Sequence, residues 1–173
     1  MPARLIAYCT CAVDHVTAAD LKAAVDEADI HTNAEVWGIE DEAVVDGALS
    51  HLVIERVADP EGARFRLVYA VGQARPVLIC VSGRLSADEM LEELHGLTRN
   101  GIERVRRGLR ETVQEVALTL GWEQTEDMGI VLASQLAQTF ASVGRGLIRD
   151  QNNEWLAVED GIPKLVLGQG DDA

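Results

Sequence analysis

The sequence lacks any long apolar run. Its uninterrupted apolar stretches are short, such as VLICV at 77–81, whereas a helix needs about 20 apolar residues to cross a bilayer. Asp14 and His15 stand where the small-residue cleavage motif of a secretory signal would be expected. We therefore expect no membrane partner and no secretory signal.

Cysteine is scarce as well. Cys9, Cys11 and Cys80 are the only cysteines among the 173 residues. An odd number, in a chain long enough to bury a substantial core, argues against a disulfide framework and favours thiols that stay reduced. We therefore expect a cytoplasmic location.

Positively charged residues are also few relative to negatively charged ones. Only two lysines, Lys22 and Lys164, accompany thirteen arginines, a composition typical of high-GC bacterial genomes. Asp and Glu number 29 against 15 Lys and Arg, and the formal net charge is −14. A field of this sign repels phosphate backbones and anionic lipid headgroups, so we expect neither nucleic acid nor a membrane surface as a partner. Basic proteins, cations or simply solvent are its natural complements, and a high net charge by itself keeps a protein soluble.

No nucleotide-binding, kinase or hydrolase signature is present, and no repeat of 20–50 residues recurs. No linker rich in Pro, Ser or Gly divides the chain. We therefore expect a single α+β domain over 1–167, followed by a flexible acidic tail at 168–173. The sequence assigns no catalytic residue and no cofactor.

The N-terminal half predicts most of the strands. Residues 4–12 are apolar on both faces of an extended chain, which predicts a central strand. Thr17 and Asp20 then form a capping box before a short helix. Residues 30–49 are expected to be mostly loop, with a helix near 41–48. Three β-runs follow, separated by DPEG and GQAR, and predict an antiparallel meander.

The C-terminal half predicts the covering helices. Ser86 and Glu89 suggest a capping box at the start of a helix, and apolar spacing over 102–121 predicts either a second helix or the continuation of one kinked helix. Apolar spacing predicts a further helix over about 127–149. Apolar runs on both sides of Asp160-Gly161 predict a hairpin. Together these patterns predict the α+β class, with a mainly antiparallel sheet of 4–6 strands covered by amphipathic helices from the second half of the chain.

The densest group of reactive residues is Cys9, Cys11 and His15. Thiolate and imidazole are good zinc ligands, but a C-x-C pair on a strand lacks the turn that brings two sulfurs onto one ion. A nucleophilic thiol would need a base beside it and a lowered pKa. The sequence favours buried, inert cysteines at Cys9 and Cys11, and keeps a metal or thiol site as the alternative.

A stripe of arginines runs against the net charge and forms a candidate docking face, because guanidinium groups bind phosphate and carboxylate through paired hydrogen bonds. Glu103 and Glu111 stand four residues from Arg107 on either side and could neutralise part of the stripe. Arg145 and Arg149, later in the chain, join the same group of arginines. The candidate docking residues are Arg99, Arg104, Arg106, Arg107 and Arg110.

These observations favour a non-enzymatic cytoplasmic protein that acts through protein–protein interaction. Its most concrete form is an inhibitor or immunity-like protein for a basic partner, because opposite charge speeds association. The alternative is a small metal-binding or thiol-dependent enzyme that uses Cys9, Cys11 and His15. The sequence leaves the partner's identity and the oligomeric state open, a homodimer included.

Overall fold

The structure, a computed structural model, describes residues 2–58 and 62–168. Two sequence predictions fall partly outside these ranges: the turn at Asp59 and Pro60, and the acidic tail from residue 169 onward. None of the helices within the described ranges is long and apolar enough to cross a membrane. The helices are α1 (Ala18–Glu27), α2 (Ile30–Val36), α3 (Glu42–His51), α4 (Ala87–Glu93), α5 (Ile102–Glu111), α6 (Met128–Val143) and a short 3-10 helix at Trp122–Thr125.

The strands are β1 (Ala3–Cys9), β2 (Val53–Arg56), β3 (Ala63–Val68), β4 (Val77–Ser82), β5 (Gln114–Leu120), β6 (Leu147–Arg149), β7 (Trp155–Glu159) and β8 (Ile162–Leu167). They form one antiparallel sheet in the order β2-β3-β4-β5-β1-β6-β7-β8. The α+β class and the antiparallel sheet are therefore confirmed. The predicted count of 4–6 strands is too low, since the described residues form eight strands of this sheet. Strand β1 lies in its interior between β5 and β6.

The first additional strand, β5, lies where the apolar spacing predicts a helix over 102–121. Val116 and Leu120 are four residues apart, a spacing that fits one face of a helix and equally one face of a strand. Leu118, between them, is also buried, as the alternation of a strand requires. The predicted helix therefore ends at Glu111, the last residue of α5.

The second additional strand, β6, replaces the last turns of the helix predicted over 127–149. Helix α6 stops at Val143 because Arg145 takes a left-handed conformation, with φ of 50°. The N–H of Gly146 then donates to the carbonyl of Ala141 at 2.8 Å, which is the closing hydrogen bond of a Schellman motif. The chain leaves the helix there and continues as a strand.

The sheet is covered by helices from both halves of the chain, because α1 packs on β2, whereas the prediction takes the covering helices from the second half alone. Within residues 30–49, expected to be mostly loop, α2 is an additional helix, whereas α3 confirms the helix predicted near 41–48. Each of these helices begins at an aspartate: Asp29 accepts from the N–H of Thr32 at 3.1 Å, and Asp41 from that of Ala43 at 2.9 Å. Helix α2 has only seven residues, too few to give a clear apolar period.

Other local predictions are confirmed. Thr17 and Asp20 form both hydrogen bonds of a capping box at the start of α1. Strands β2, β3 and β4 form the antiparallel meander. Strands β7 and β8 form the hairpin, with φ of 53° at Asp160 and 78° at Gly161, the two positive values that a tight turn between antiparallel strands favours.

Helix α4 begins differently from the prediction. The Ser86 side chain makes no capping hydrogen bond, and the expected capping box with Glu89 is absent from this described segment. The carboxylate of Glu115 on β5 accepts hydrogen bonds instead from the backbone N–H groups of Leu85, Ser86 and Ala87 at 2.8–3.0 Å. A residue 29 positions away therefore satisfies the N-terminus of this helix.

The chain divides into two compact units. The first contains the described residues of 1–4, 16–80 and 118–136, and within it α1 packs on β2 and α2 on α3. The expectation of one domain over 1–167 remains a prediction. Among the buried side chains of the first unit are Leu21, Ile30, Phe65, Leu67 and Ile79.

The second unit contains the described residues of 5–15, 81–117 and 137–173. Tyr8 lies in its core, with its ring centroid 5.3 Å from that of Trp155 and its hydroxyl 3.1 Å from the Ser86 hydroxyl. Burial raises the pKa of the Tyr8 phenol above its ordinary value. The core of this unit consists of Tyr8, Ala87, Met90, Ile102, Val105, Leu109, Leu147, Trp155, Ala157 and Leu167.

Strand β8 is one edge of the sheet. Ile162 and Leu165 are exposed on it, and Pro163 and Lys164 lie between them. The Lys164 ammonium donates to the carboxylate of Glu159 on β7 at 2.9 Å. Proline and lysine are residues that proteins commonly place on the unpaired edge of a sheet.

Candidate functional site

The structure separates the residues of the predicted cysteine site. Cys9 is buried in β1, whereas Cys11 and His15 are exposed beyond the end of that strand. The prediction that Cys11 is a buried strand residue is therefore wrong. Within the described ranges, no group of three His, Cys, Asp or Glu side chains is placed to hold a metal ion.

Cys9 lies in an apolar and hydrogen-bonded environment. Its thiol is 0% exposed and donates to the carbonyl oxygen of Phe140 at 3.6 Å. Burial, and to a smaller extent the neighbouring Cys11, raises the pKa of the Cys9 thiol to about 12. A thiolate is the nucleophilic form of cysteine, so this environment opposes nucleophilic chemistry at Cys9.

The predicted docking stripe does not form a single surface. Its members lie on α5 or, for Arg99, in the connection just before it. Arg104 and Arg107 line one groove, whereas Arg106 and Arg110 line another. The five arginines therefore belong to at least two different surfaces.

Ion pairs divide the stripe further. Arg106 is paired with Glu103 on the same helix. Arg104 donates to the carboxylate of Glu159 at 2.7 Å. Arg107 makes no ion pair with any residue that the structure describes. Only some of the predicted stripe is neutralised, and by different partners.

A larger groove, of about 680 Å³, lies in the first unit. It is formed by the loop 69–76, between β3 and β4, and by the segment 121–127, between β5 and α6. We call it the Trp122 groove, because the side chain of Trp122 stands at its wall and is 73% exposed. Val71, on the opposite loop, is 82% exposed. Two large apolar side chains are thus presented to solvent at one place.

Two glutamines hold the loops of the groove in place. The side chain of Gln73 accepts from the N–H of Tyr69 at 2.9 Å and donates to the carbonyl of Arg75 at 2.7 Å. The side chain of Gln124 accepts from the N–H of Gly121 at 2.7 Å and donates to the same Arg75 carbonyl at 2.8 Å. One carbonyl oxygen therefore joins the two loops.

The floor of the groove is fixed by a tyrosine and an aspartate. The Tyr69 hydroxyl donates to Asp127 at 2.8 Å, and the N–H of Gly129 donates to the same carboxylate oxygen at 2.7 Å. Burial, reinforced by Asp127, raises the pKa of the Tyr69 phenol. A Cβ at Gly129 would lie 2.7 Å from the Tyr69 hydroxyl and 2.8 Å from the Cβ of Gln124, so only glycine permits this packing.

The charges around the groove are mainly negative. Glu123 and Asp127 contribute carboxylates to the lining, and Arg75 contributes a guanidinium. Glu126, next to the lining, is also exposed. An exposed indole beside carboxylates can accept both apolar and cationic groups of a ligand, because an aromatic face attracts cations. No catalytic reaction follows from this arrangement.

Sequence reasoning missed the Trp122 groove. Its residues come from two segments about 50 positions apart, and nothing in either segment indicates that they meet. The available signal was local: Trp122 follows a glycine and precedes three acidic residues, Glu123, Glu126 and Asp127, in a stretch without apolar alternation. A tryptophan in such a polar loop is a candidate exposed aromatic.

No family model, curated protein or solved structure matches this chain.

Proposed function

We propose that this chain is a non-enzymatic protein that acts by binding another protein, with the Trp122 groove as its binding surface. The observation that carries the proposal is the exposure of Trp122 on loops that are already fixed by hydrogen bonds. Tryptophan, tyrosine and arginine dominate the energetics of protein interfaces. Trp122, Tyr69 and Arg75 all line this groove.

The fixed loops support binding as the role of this surface. Binding normally costs free energy for the ordering of loops and side chains, and a surface held by its own hydrogen bonds avoids much of that cost. The Gln73 and Gln124 side chains supply such bonds on both sides of the groove. The exposed indole can then lose contact with water in favour of a partner's apolar side chain.

Charge favours a basic partner. Glu123, Glu126 and Asp127 outnumber the one guanidinium of the lining, Arg75, and the whole chain carries a net charge of −14. The occupant we propose is a protein segment that presents lysine or arginine together with an apolar side chain. Opposite charges on the two partners would steer their encounter and raise the association rate.

In its most concrete form, the proposal describes an inhibitor or immunity-like protein. Such proteins must reach their target quickly and bind it through a preformed surface, and both requirements suit an acidic surface on fixed loops. We place this activity in the cytoplasm, where the three cysteines would stay reduced.

The proposal is tested by selecting peptides from a displayed random library with the wild-type protein as bait. A Trp122→Ala variant is the counter-selection, and Leu85→Ala, which removes another exposed apolar side chain outside the groove, is the matched control. We expect the selected peptides to be rich in Lys and Arg, to bind the Leu85→Ala variant normally, and to bind Trp122→Ala at least about tenfold more weakly.

The dependence of peptide affinity on salt concentration is a second test of the proposal. Affinity should fall as ionic strength rises and the Debye length shortens from about 10 Å to about 3 Å. Selected peptides that are acidic, or that bind the Trp122→Ala variant as tightly as the wild type, would show that this groove is not the binding surface.

A further inference from the structure

A second groove, which shares no residue with the Trp122 groove, is lined by three arginines, of which Arg104 is paired with Glu159. We call it the arginine groove. It has a volume of about 430 Å³ and is formed in the second unit by α5, the end of α6 and the turn between β7 and β8. Its charged and hydroxyl-bearing lining residues include Arg104, Arg107, Glu111, Ser142, Arg145 and Asp160.

Two guanidinium groups of this groove are unpaired. Neither Arg107 nor Arg145 makes a side-chain hydrogen bond or an ion pair with another residue in the described part of the chain. The two glutamates spaced to neutralise Arg107 do not do so: Glu103 is paired with Arg106, and Glu111 makes no ion pair with any residue of 2–58 or 62–168. Arg107 and Arg145 therefore both bring an unneutralised positive charge to one groove of a chain whose net charge is −14.

The backbone of Arg145 is held in a conformation that arginine does not favour. It occupies the left-handed position of the Schellman motif after α6, a position that is usually glycine. The Thr10 hydroxyl donates to the Arg145 carbonyl at 2.9 Å, and the N–H of Thr10 donates to the Gly144 carbonyl at 2.9 Å, so this turn is fixed. A side chain kept at a strained position is an indication that the side chain itself has a use.

We propose that Arg107 and Arg145 bind the phosphate group of a small phosphorylated compound. A guanidinium offers paired N–H donors that match the oxygens of a phosphate, and two guanidiniums match its two negative charges. The exposed hydroxyl of Ser142 adds a further donor at the same groove. The groove volume lies within the range of about 300–1,000 Å³ that small-molecule sites occupy.

The carboxylates of the groove define the rest of the ligand. Glu111 and Asp160 would repel a bare anion, but as acceptors they can take hydrogen bonds from hydroxyl groups. A ligand that carries a phosphate at one end and several hydroxyls at the other satisfies both parts of the lining. The class that fits is therefore a phosphorylated sugar or polyol.

Isothermal titration calorimetry with three probes tests this inference: glucose 6-phosphate, glucose and inorganic phosphate. We expect glucose 6-phosphate to bind at submillimolar to millimolar concentration and both other probes to bind about tenfold more weakly or not at all. Arg107→Gln and Arg145→Gly should each weaken binding of glucose 6-phosphate about tenfold or more. Arg110→Gln, a change on the same helix outside this groove, is the matched control and should bind normally.

Thermal stability separates a ligand-binding role of Arg145 from a structural one. Arg145→Gly relieves the left-handed strain and should leave the melting temperature unchanged or raise it while binding is lost. The inference is overturned if glucose 6-phosphate does not bind, or binds both groove variants as it binds the wild type. Equal affinity for inorganic phosphate would overturn the assignment to a polyol phosphate. A fall in melting temperature in Arg145→Gly would overturn the strain argument.

Discussion

The carboxylate of Glu115 binds Ser86 through both of that residue's donors. It accepts from the Ser86 N–H at 2.8 Å and from the Ser86 hydroxyl at 2.8 Å, and Glu115 itself is only 4% exposed. With the N–H groups of Leu85 and Ala87, four donors converge on one buried carboxylate at the N-terminus of α4. Negative charge at this end of a helix is also favoured by the helix dipole.

We therefore expect Glu115→Ala to lower the free energy of unfolding by about 3 kcal/mol, because it leaves several buried donors without an acceptor. Glu89→Ala is the matched control: Glu89 is the acid that sequence spacing assigns to the cap, but it is exposed. This control should cost less than about 0.5 kcal/mol. Urea denaturation measures both, and similar losses in the two variants would show that Glu115 does not cap α4.

Removal of a buried hydroxyl on α6 should stabilise the protein. The Ser134 Oγ is buried, and no residue of the described chain hydrogen-bonds to it. Ser134→Ala should raise the free energy of unfolding by about 0.5–1 kcal/mol, because it removes an unsatisfied polar atom and improves helix propensity. Ser142→Ala, at an exposed position near the end of the same helix, controls for propensity and should give a smaller gain. A loss of stability in Ser134→Ala would mean that the Ser134 hydroxyl does make a hydrogen bond in the folded protein.

The cysteines should differ in reactivity. With iodoacetamide near pH 8, Cys11 should be alkylated in the native protein and Cys9 only after denaturation, since Cys9 is buried and its pKa is raised to about 12. Peptide mass spectrometry after timed quenching measures the two rates. Labelling of native Cys9 as fast as that of Cys11 would restore the thiol-site alternative.

Glu159 should make stability depend on acid pH. The Lys164 ammonium and then the Arg104 guanidinium lower the pKa of Glu159 below its ordinary value. Its contribution is therefore fully present above the ordinary glutamate pKa and is lost as pH falls through the lower, folded-state value. The difference in denaturation midpoint between wild type and Glu159→Gln should be present at neutral pH and vanish in acid.

A double-mutant comparison controls for other effects of Glu159→Gln. When Arg104→Gln and Lys164→Gln are already present, Glu159→Gln should change the denaturation midpoint by the same amount at neutral and at acid pH. Persistence of the pH-dependent difference in that background would mean that another cation lowers the pKa.

The parts of the fold that the sequence predicted are those set by near neighbours. Thr17 and Asp20 are three residues apart and form the capping box that their spacing indicates. The Asp160-Gly161 turn also depends only on local conformation. The cap on α4 was assigned to the wrong glutamate, because the acceptor comes from 29 residues further along the chain. The helix predicted over 102–121 is too long at its C-terminal end, because the four-residue spacing of Val116 and Leu120 fits a helix and a strand alike.

The candidate sites were less predictable than the fold, because each depends on residues brought together from distant segments. The arginine stripe was visible in the sequence, but its division between grooves was not. The sequence groups Arg145 with the stripe, but its left-handed backbone and the groove that it shares with Arg107 depend on the fold. The polar sequence around Trp122 makes it a candidate exposed aromatic, but it does not show that the segments 69–76 and 121–127 meet in one groove.

The composition of β8 determines how this protein can behave at high concentration. A free sheet edge with two exposed apolar side chains, Ile162 and Leu165, is the usual starting point for intermolecular β-pairing and fibril growth. A strand from a second molecule would meet Pro163, which has no N–H to donate, and Lys164, whose charge would have to leave water. These two residues interrupt the ladder at its middle, so the edge can stay open to solvent without serving as a template for polymerisation.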